Sequence, residues 1–278
     1  MKLPCQRSST LVILVLLATA AVPSIVSAPV SAQSSATVQI AQRRRRPLSW
    51  RTNVRPTRTR IGALSRTSGL CAGQPVTVMP FSPPVRKEEK IKLNQSPVDA
   101  TISGNPTFWV YLSSIPEDTP LQFTLQNESG TEEFYQQVFS VNGSTGIMGV
   151  PLPKPAFTLQ EGKIYRWQLA VQCDPSDRSA DLIASGFVKR IPVNQITPAA
   201  GFDPRPLIRD LSRATDRDKP ALYAALGLWQ DTVTTLAELR KKQPNDRELK
   251  EDWRSLLAGA QMSGLVDAAI LSTTLSPN

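Results

Sequence analysis

The period of the apolar residues changes once along the chain, and that change limits the fold more than any other feature. Up to about residue 193, short runs of β-branched, aromatic and aliphatic residues recur between turn signals, at 74–80, 106–113, 121–126, 133–141, 146–152, 164–173 and 184–193. In 121–126, Leu121, Phe123 and Leu125 alternate with Gln122, Thr124 and Gln126, the pattern of a strand with one wet face. In 106–113 both faces are apolar, Phe108, Val110 and Leu112 on one and Trp109 and Tyr111 on the other, which places that strand inside a sheet. Beyond residue 193 the apolar spacing becomes helical. Leu222, Leu226, Trp229, Val233 and Leu236 draw a single stripe on one helix, with Pro220 at its start and Pro244 past its end. Leu249, Trp253, Leu256 and Ala260 repeat the stripe on a second helix capped by Asn245 or Asp246, and shorter helices are predicted at 206–214 and 265–271. The expectation is an α+β chain: an antiparallel β-sandwich over 68–195, then a helical region over 196–278 built around a hairpin.

The first 32 residues read as a leader. Lys2 and Arg7 precede an apolar run over 11–22, and Val30, Ser31 and Ala32 supply the small residues of a cleavage site ahead of Gln33. A run that short does not span a bilayer comfortably, so cleavage is favoured over an anchor and a periplasmic or secreted location is expected. Two cysteines then remain, Cys71 and Cys173, and an oxidising compartment favours their pairing over two separate buried thiols. Tyr165, Trp167, Leu169 and Val171 point to one side of their strand and Cys173 continues that inward series, within reach of a Cys71 near the first strand.

The net charge of +9 is not spread over the chain. Nine arginines between positions 43 and 66 supply that amount, and no acidic residue occurs before Glu88. Residues 33–67 are rich in Arg, Ser, Thr and Pro without apolar periodicity, so a disordered Arg-rich linker is expected. Within it, Arg43, Arg44, Arg45, Arg46, Trp50 and Arg51 form a candidate patch for an anionic polymer or membrane surface; the alternative is a solvated tether. Nothing indicates specific nucleic-acid recognition.

Two stretches carry resemblances. Leu159 to Tyr165, with Gly162 between, is similar to the tyrosine corner of immunoglobulin and fibronectin type III sandwiches, in which the phenol bonds back to the main chain. PTFWVYLS, GKIYRWQLAVQCDPSDRSAD, GFVKRI, ALYAALGLWQDTVTTLAELR and the distal Trp253 to Leu257 together resemble the cyanobacterial family called domain of unknown function 928, from about Ser68 onward. That resemblance implies an exported, cysteine-containing protein of a photosynthetic bacterium. It implies no reaction, cofactor or catalytic residue.

Chemistry is narrowed chiefly by composition. The chain has no histidine, which removes Ser-His-Asp and Cys-His mechanisms and His-ligated zinc and iron sites. Phosphate-binding glycine loops and the calcium-loop pattern are missing from the sequence. No catalytic residue, metal ligand set or cofactor is therefore assigned. The densest polar stretch is 173–181, where Asp174, Asp177, Arg178 and Asp181 read as a well-capped turn between two strands, with an oxygen-ligand ion site as the competing reading. The function expected is a noncatalytic exported module that meets a protein or a cell-envelope component. The alternatives are a carboxylate-dependent envelope glycan hydrolase and a polyanion binder acting through the Arg-rich tail.

Overall fold

The computed structural model describes residues 48–51, 55–56, 68–84, 96–141, 145–174, 176–196 and 203–271. The leader, Arg43 to Arg46, most of the Arg-rich segment and the charged stretch after Pro84 lie outside the described residues. All the elements below belong to one compact unit, Arg45–Asn278.

Two mostly antiparallel sheets and four helices make an α+β fold among the described residues. The strands are β1 (Arg55–Pro56), β2 (Ser68–Cys71), β3 (Gln74–Pro80), β4 (Pro97–Thr101), β5 (Thr107–Leu112), β6 (Pro120–Asn127), β7 (Glu133–Ser140), β8 (Gly146–Pro151), β9 (Ile164–Val171) and β10 (Leu182–Arg190). One sheet runs β1-β4-β10-β9-β6-β7 and the other β2-β3-β5-β8. Only β4 with β10 is a parallel pair among these ladders. The two-residue period predicted each of the longer strands. It missed β2, which is four residues long, and β4, whose sequence PVDAT carries Pro and Asp and has little strand propensity of its own. Pairing to β10 recruits β4.

The inward faces of both sheets contribute to one core. Phe108, Val110, Leu112, Met148 and Val150 from one sheet cluster with Leu121, Phe123, Leu125, Trp167 and Leu169 from the other. Gly186 lets β10 close over the Trp167 indole; a Cβ there would lie 2.8 Å from its Nε1. The opposite face of β5 is apolar for a different reason. Trp109 belongs to a second cluster with Phe81, Ile147, Trp229, Trp253 and Leu256, so a helical layer covers what would otherwise be the wet side. At 159–165 the backbone N–H of Gln160 donates to Tyr165 Oη at 3.0 Å, the bond that the corner motif predicts.

The helices are α1 (Arg205–Leu211), α2 (Lys219–Ala225), α3 (Trp229–Lys242) and α4 (Arg247–Gly259). Here the periodicity misled in two places. The stripe from Leu222 to Leu236 is not one helix, because Gly227 adopts φ 70° and ends α2 before α3 begins. The stripe is divided accordingly: Leu222 and Leu226 pack with Ala100, Ile191 and Leu207, whereas Trp229, Val233 and Leu236 face the second cluster. The helix expected at 265–271 is replaced by a short 3-10 turn, Ser263–Leu265, and an extended end. There Ile147 N–H donates to Ala269 O at 2.7 Å and Leu271 N–H to Ile147 O at 2.8 Å, so the open edge of β8 captures the main chain. The start of α4 is as read, with Asp246 accepting from Leu249 N–H at 2.9 Å.

Candidate functional site

Among the described residues, those singled out by sequence fall in two places: the disulfide with the corner that follows it, and Trp50 with Arg51 beside the helices. Cys71 and Cys173 form a disulfide with Cα atoms 4.6 Å apart, tying β2 to the strand end after β9. Asp174 Oδ1 accepts from the amide and hydroxyl of Ser176 at 2.8 and 2.6 Å, bonds that hold its carboxyl below the usual carboxylate range. Asp177 Oδ1 accepts from Ser179 N–H at 2.9 Å, capping the short 3-10 turn Arg178–Ala180. Arg178 Nε donates to Asp181 Oδ2 at 2.7 Å while its Nη2 reaches Gln122 Oε1 at 2.9 Å. Each carboxylate thus accepts a bond inside the corner, although Asp181 Oδ1 is buried without a partner, and among the described residues no group of three acidic or cysteine side chains is arranged to hold a metal.

Trp50 is placed otherwise than expected. Read as part of a disordered tail, it is buried with Leu48 in the helical cluster, its ring edge-on to Trp229 at 4.9 Å and 77°. Arg51 N–H donates to Ala224 O at 3.1 Å and fixes the strand-like approach, while the Arg51 side chain stays exposed. The reason is area: burying a large apolar side chain is worth roughly 2 kcal/mol or more, and Arg51 beside it turns its side chain outward. Leu48 and Trp50, two positions apart amid polar residues, were the signal for this.

A cavity lies where α3 crosses the end of β4 and the start of β5. It has a volume of about 390 Å³. Thr101, Ser103 and Thr107 line it from the sheet side, and Tyr223, Asp231 and Thr234 from the helices. The sequence DTVTT built its helical wall. Threonines are poor helix formers, and here Thr235 Oγ1 returns to Asp231 O at 2.8 Å and Thr232 Oγ1 to Leu228 O at 2.7 Å. Cross-layer hydrogen bonds lock the helix over the strands: Ile102 N–H donates to Asp231 Oδ2 at 3.2 Å, Trp109 Nε1–H to Thr234 Oγ1 at 3.0 Å, and Gln230 Nε2–H to Asp99 Oδ2 at 3.1 Å. Trp229 Nε1–H completes the set by donating to Phe81 O at 2.6 Å.

Electrostatically the cavity is unusual for a surface so polar. Burial raises the Asp231 carboxyl to about 6, against the opposing hydrogen bonds from Thr101 and Ile102. Burial likewise raises the Tyr223 phenol, with the Asp231 charge adding to it. No Lys or Arg lines the cavity, and Asp231 is its one carboxylate among the described lining residues. Hydroxyls that accept a backbone or indole proton, as Ser103 does from Asn105 N–H at 3.1 Å and Thr234 from Trp109 Nε1–H at 3.0 Å, still have their own O–H to donate. The arrangement can bracket a neutral ligand that both donates and accepts, with Tyr223, Ile102 and Pro106 as apolar wall. Its hydroxyl–carboxylate contact is Thr101 with Asp231, and no second carboxylate flanks Asp231 among the described lining residues.

Sequence reading missed this cavity because its walls are more than a hundred positions apart, and no motif links 101–107 with 223–235. A family model described as Domain of Unknown Function (DUF928) matches residues 61–270, which include every lining residue of the cavity, the disulfide and the 173–181 corner. No curated protein matches the chain.

Proposed function

Because the chain belongs to the DUF928 family, whose description assigns no activity, we propose from the site alone that this is an exported, noncatalytic binding module of the cell envelope. It holds a neutral, hydroxyl-rich ligand such as a glycan segment in the Asp231 cavity. The carrying observation is the composition of that cavity: hydroxyl and amide groups, an aromatic wall and one buried carboxyl, with no cation. A ligand bearing many hydroxyls exchanges its water bonds for these groups at little net cost, whereas an anion would meet Asp231 without any compensating charge.

Export is supported by the disulfide, a bond that persists in oxidising compartments, and by the apolar leader read at 1–32. Among the described residues no helix is long and apolar enough to cross a membrane. In this reading the two sheets face each other as an immunoglobulin-like sandwich, and α3 and α4 form its helical hairpin. A cyanobacterial source is part of the same proposal.

The indole N–H of Trp109, bonded to Thr234 at the cavity wall, is a built-in reporter. Titration with oligosaccharides from bacterial envelopes should shift its resonance saturably, and Asp231→Ala should weaken the response by about tenfold, the loss of one charge-assisted hydrogen bond. An indole signal that stays unmoved at glycan concentrations where other resonances saturate would remove the cavity from the function.

A further inference from the structure

A second pocket, at the other end of α3 from the Asp231 cavity, has the opposite charge. It lies between the end of α3, the start of α4 and the extended end at 266–270, and has a volume of about 430 Å³. Arg240, Lys241, Lys250 and Arg254 line it, against a single carboxylate, Asp267. Trp253 forms its floor: the indole is buried, stacks with Phe81 at 5.8 Å and carries the Arg240 guanidinium 4.9 Å from its ring centroid. The opposite wall is held by the main-chain bonds of Ala269 and Leu271 to Ile147, so the pocket is fixed to the sheet.

The charges in this pocket are poorly compensated from within the protein. Arg254 Nη1 pairs with Glu251 at 2.7 Å on its own helix. Arg240, Lys241 and Lys250 have no carboxylate partner among the described residues. Arg240 Nη1 is buried without a hydrogen-bond acceptor, and burial lowers the pKa of that guanidinium. Helix dipoles account for only part of the pattern. Arg240 and Lys241 in the last turn of α3 are favourably placed, but Lys250 stands near the N-terminal end of α4, where the dipole disfavours a cation and favours an anion. Lys250 and Arg254 are four apart on one helix, a like-charge spacing that costs a few tenths of a kcal/mol. An anion seated among these groups would supply the countercharge that Arg240, Lys241 and Lys250 lack among the described residues and relieve the repulsion between Lys250 and Arg254.

We propose that this pocket binds a phosphate group, carried either by a small phosphorylated molecule or by a phosphorylated lipid or polymer of the envelope. The Arg240 guanidinium, 4.9 Å from the Trp253 ring centroid, offers its remaining N–H donors to a phosphate oxygen, and the ammonium groups of Lys241 and Lys250 supply point charges for a second negative charge. The volume leaves room for the phosphate and a modest organic group beside it. This site shares no lining residue with the Asp231 cavity.

The test uses the full mature chain with two probes, inorganic pyrophosphate and vesicles containing phosphatidylglycerol. Calorimetry should show saturable, salt-sensitive pyrophosphate binding that weakens by about tenfold or more in the double variant Lys241→Gln/Lys250→Gln. Both lysines are exposed, so the variant should keep the wild-type melting temperature. A second variant, Arg43 to Arg46 all replaced by Gln, should leave pyrophosphate binding intact. Binding to the vesicles alone, lost in the lysine variant, would assign the phosphate to a lipid headgroup. Binding of neither probe, or binding lost in the arginine variant and unchanged in the lysine variant, would overturn the proposal.

Discussion

Two aspartates on neighbouring helical elements illustrate how position alone decides the sign of a pH effect. Asp246 caps α4 and pairs with Arg217 at 2.7 Å, and the Arg217 hydrogen bond foremost holds its carboxyl down to about 2. A depressed carboxyl stabilises the fold above its unfolded value, near 4, and that contribution is lost as pH falls toward 2. Asp246→Ala should therefore lower the melting temperature at neutral pH, with the deficit shrinking below about pH 4 in thermal scans. Asp231 is the reverse case. Its carboxyl is raised to about 6 by burial, so its favourable contribution is complete below about pH 4 and is lost as pH rises through 6. In the same scans Asp231→Asn, which keeps the acceptor for Ile102 N–H, should flatten the stability profile between about pH 4 and 7; an unchanged slope would mean that Asp231 is hydrated and not desolvated. The capping role of Asp246 was legible from its place before an amphipathic run. The environment of Asp231 was not, because its hydrogen-bond donors, Thr101 to Ser103, belong to a different layer.

Among the elements, legibility followed length and self-sufficiency. β5, β6 and β9 carry enough alternating apolar residues to be read directly, and α4 carries both stripe and cap. β4 and the extended end near Ile270 exist because a partner strand offers hydrogen bonds, which no local pattern encodes. The split of α2 from α3 was written in Gly227, but a stripe that continues across the break disguised it. The segment around Trp50 is the element whose docking is most easily tested. Trp50→Ala removes an indole that packs edge-on against Trp229, and should cost about 3 kcal/mol in urea unfolding. A cost below about 0.5 kcal/mol, the range of ordinary surface changes, would show that the segment is not seated in solution.

At the scale of the whole molecule, a core shared by two sheets is clasped by one covalent bond and covered on one side by helices. The disulfide closes a separation of 102 residues, so Cys71→Ser with Cys173→Ser should lose about 2–5 kcal/mol and unfold at lower temperature, as would reduction of the native protein. The α+β character and the cysteine pair were readable from sequence because each rests on residue type and periodicity. The two pockets were not, since they arise only where layers meet. They give the molecule, among the described residues, one recess with a lone carboxyl and one lined mainly by cations. The most direct test is to equilibrate the protein with isotopically labelled envelope glycan, recover the bound fraction, and weigh it by mass spectrometry. The account predicts saturable retention that depends on Asp231, with the glycan recovered at its original mass. Recovery of shortened glycan from wild type, and of intact glycan from Asp231→Asn, would contradict it and make Asp231 a catalytic residue.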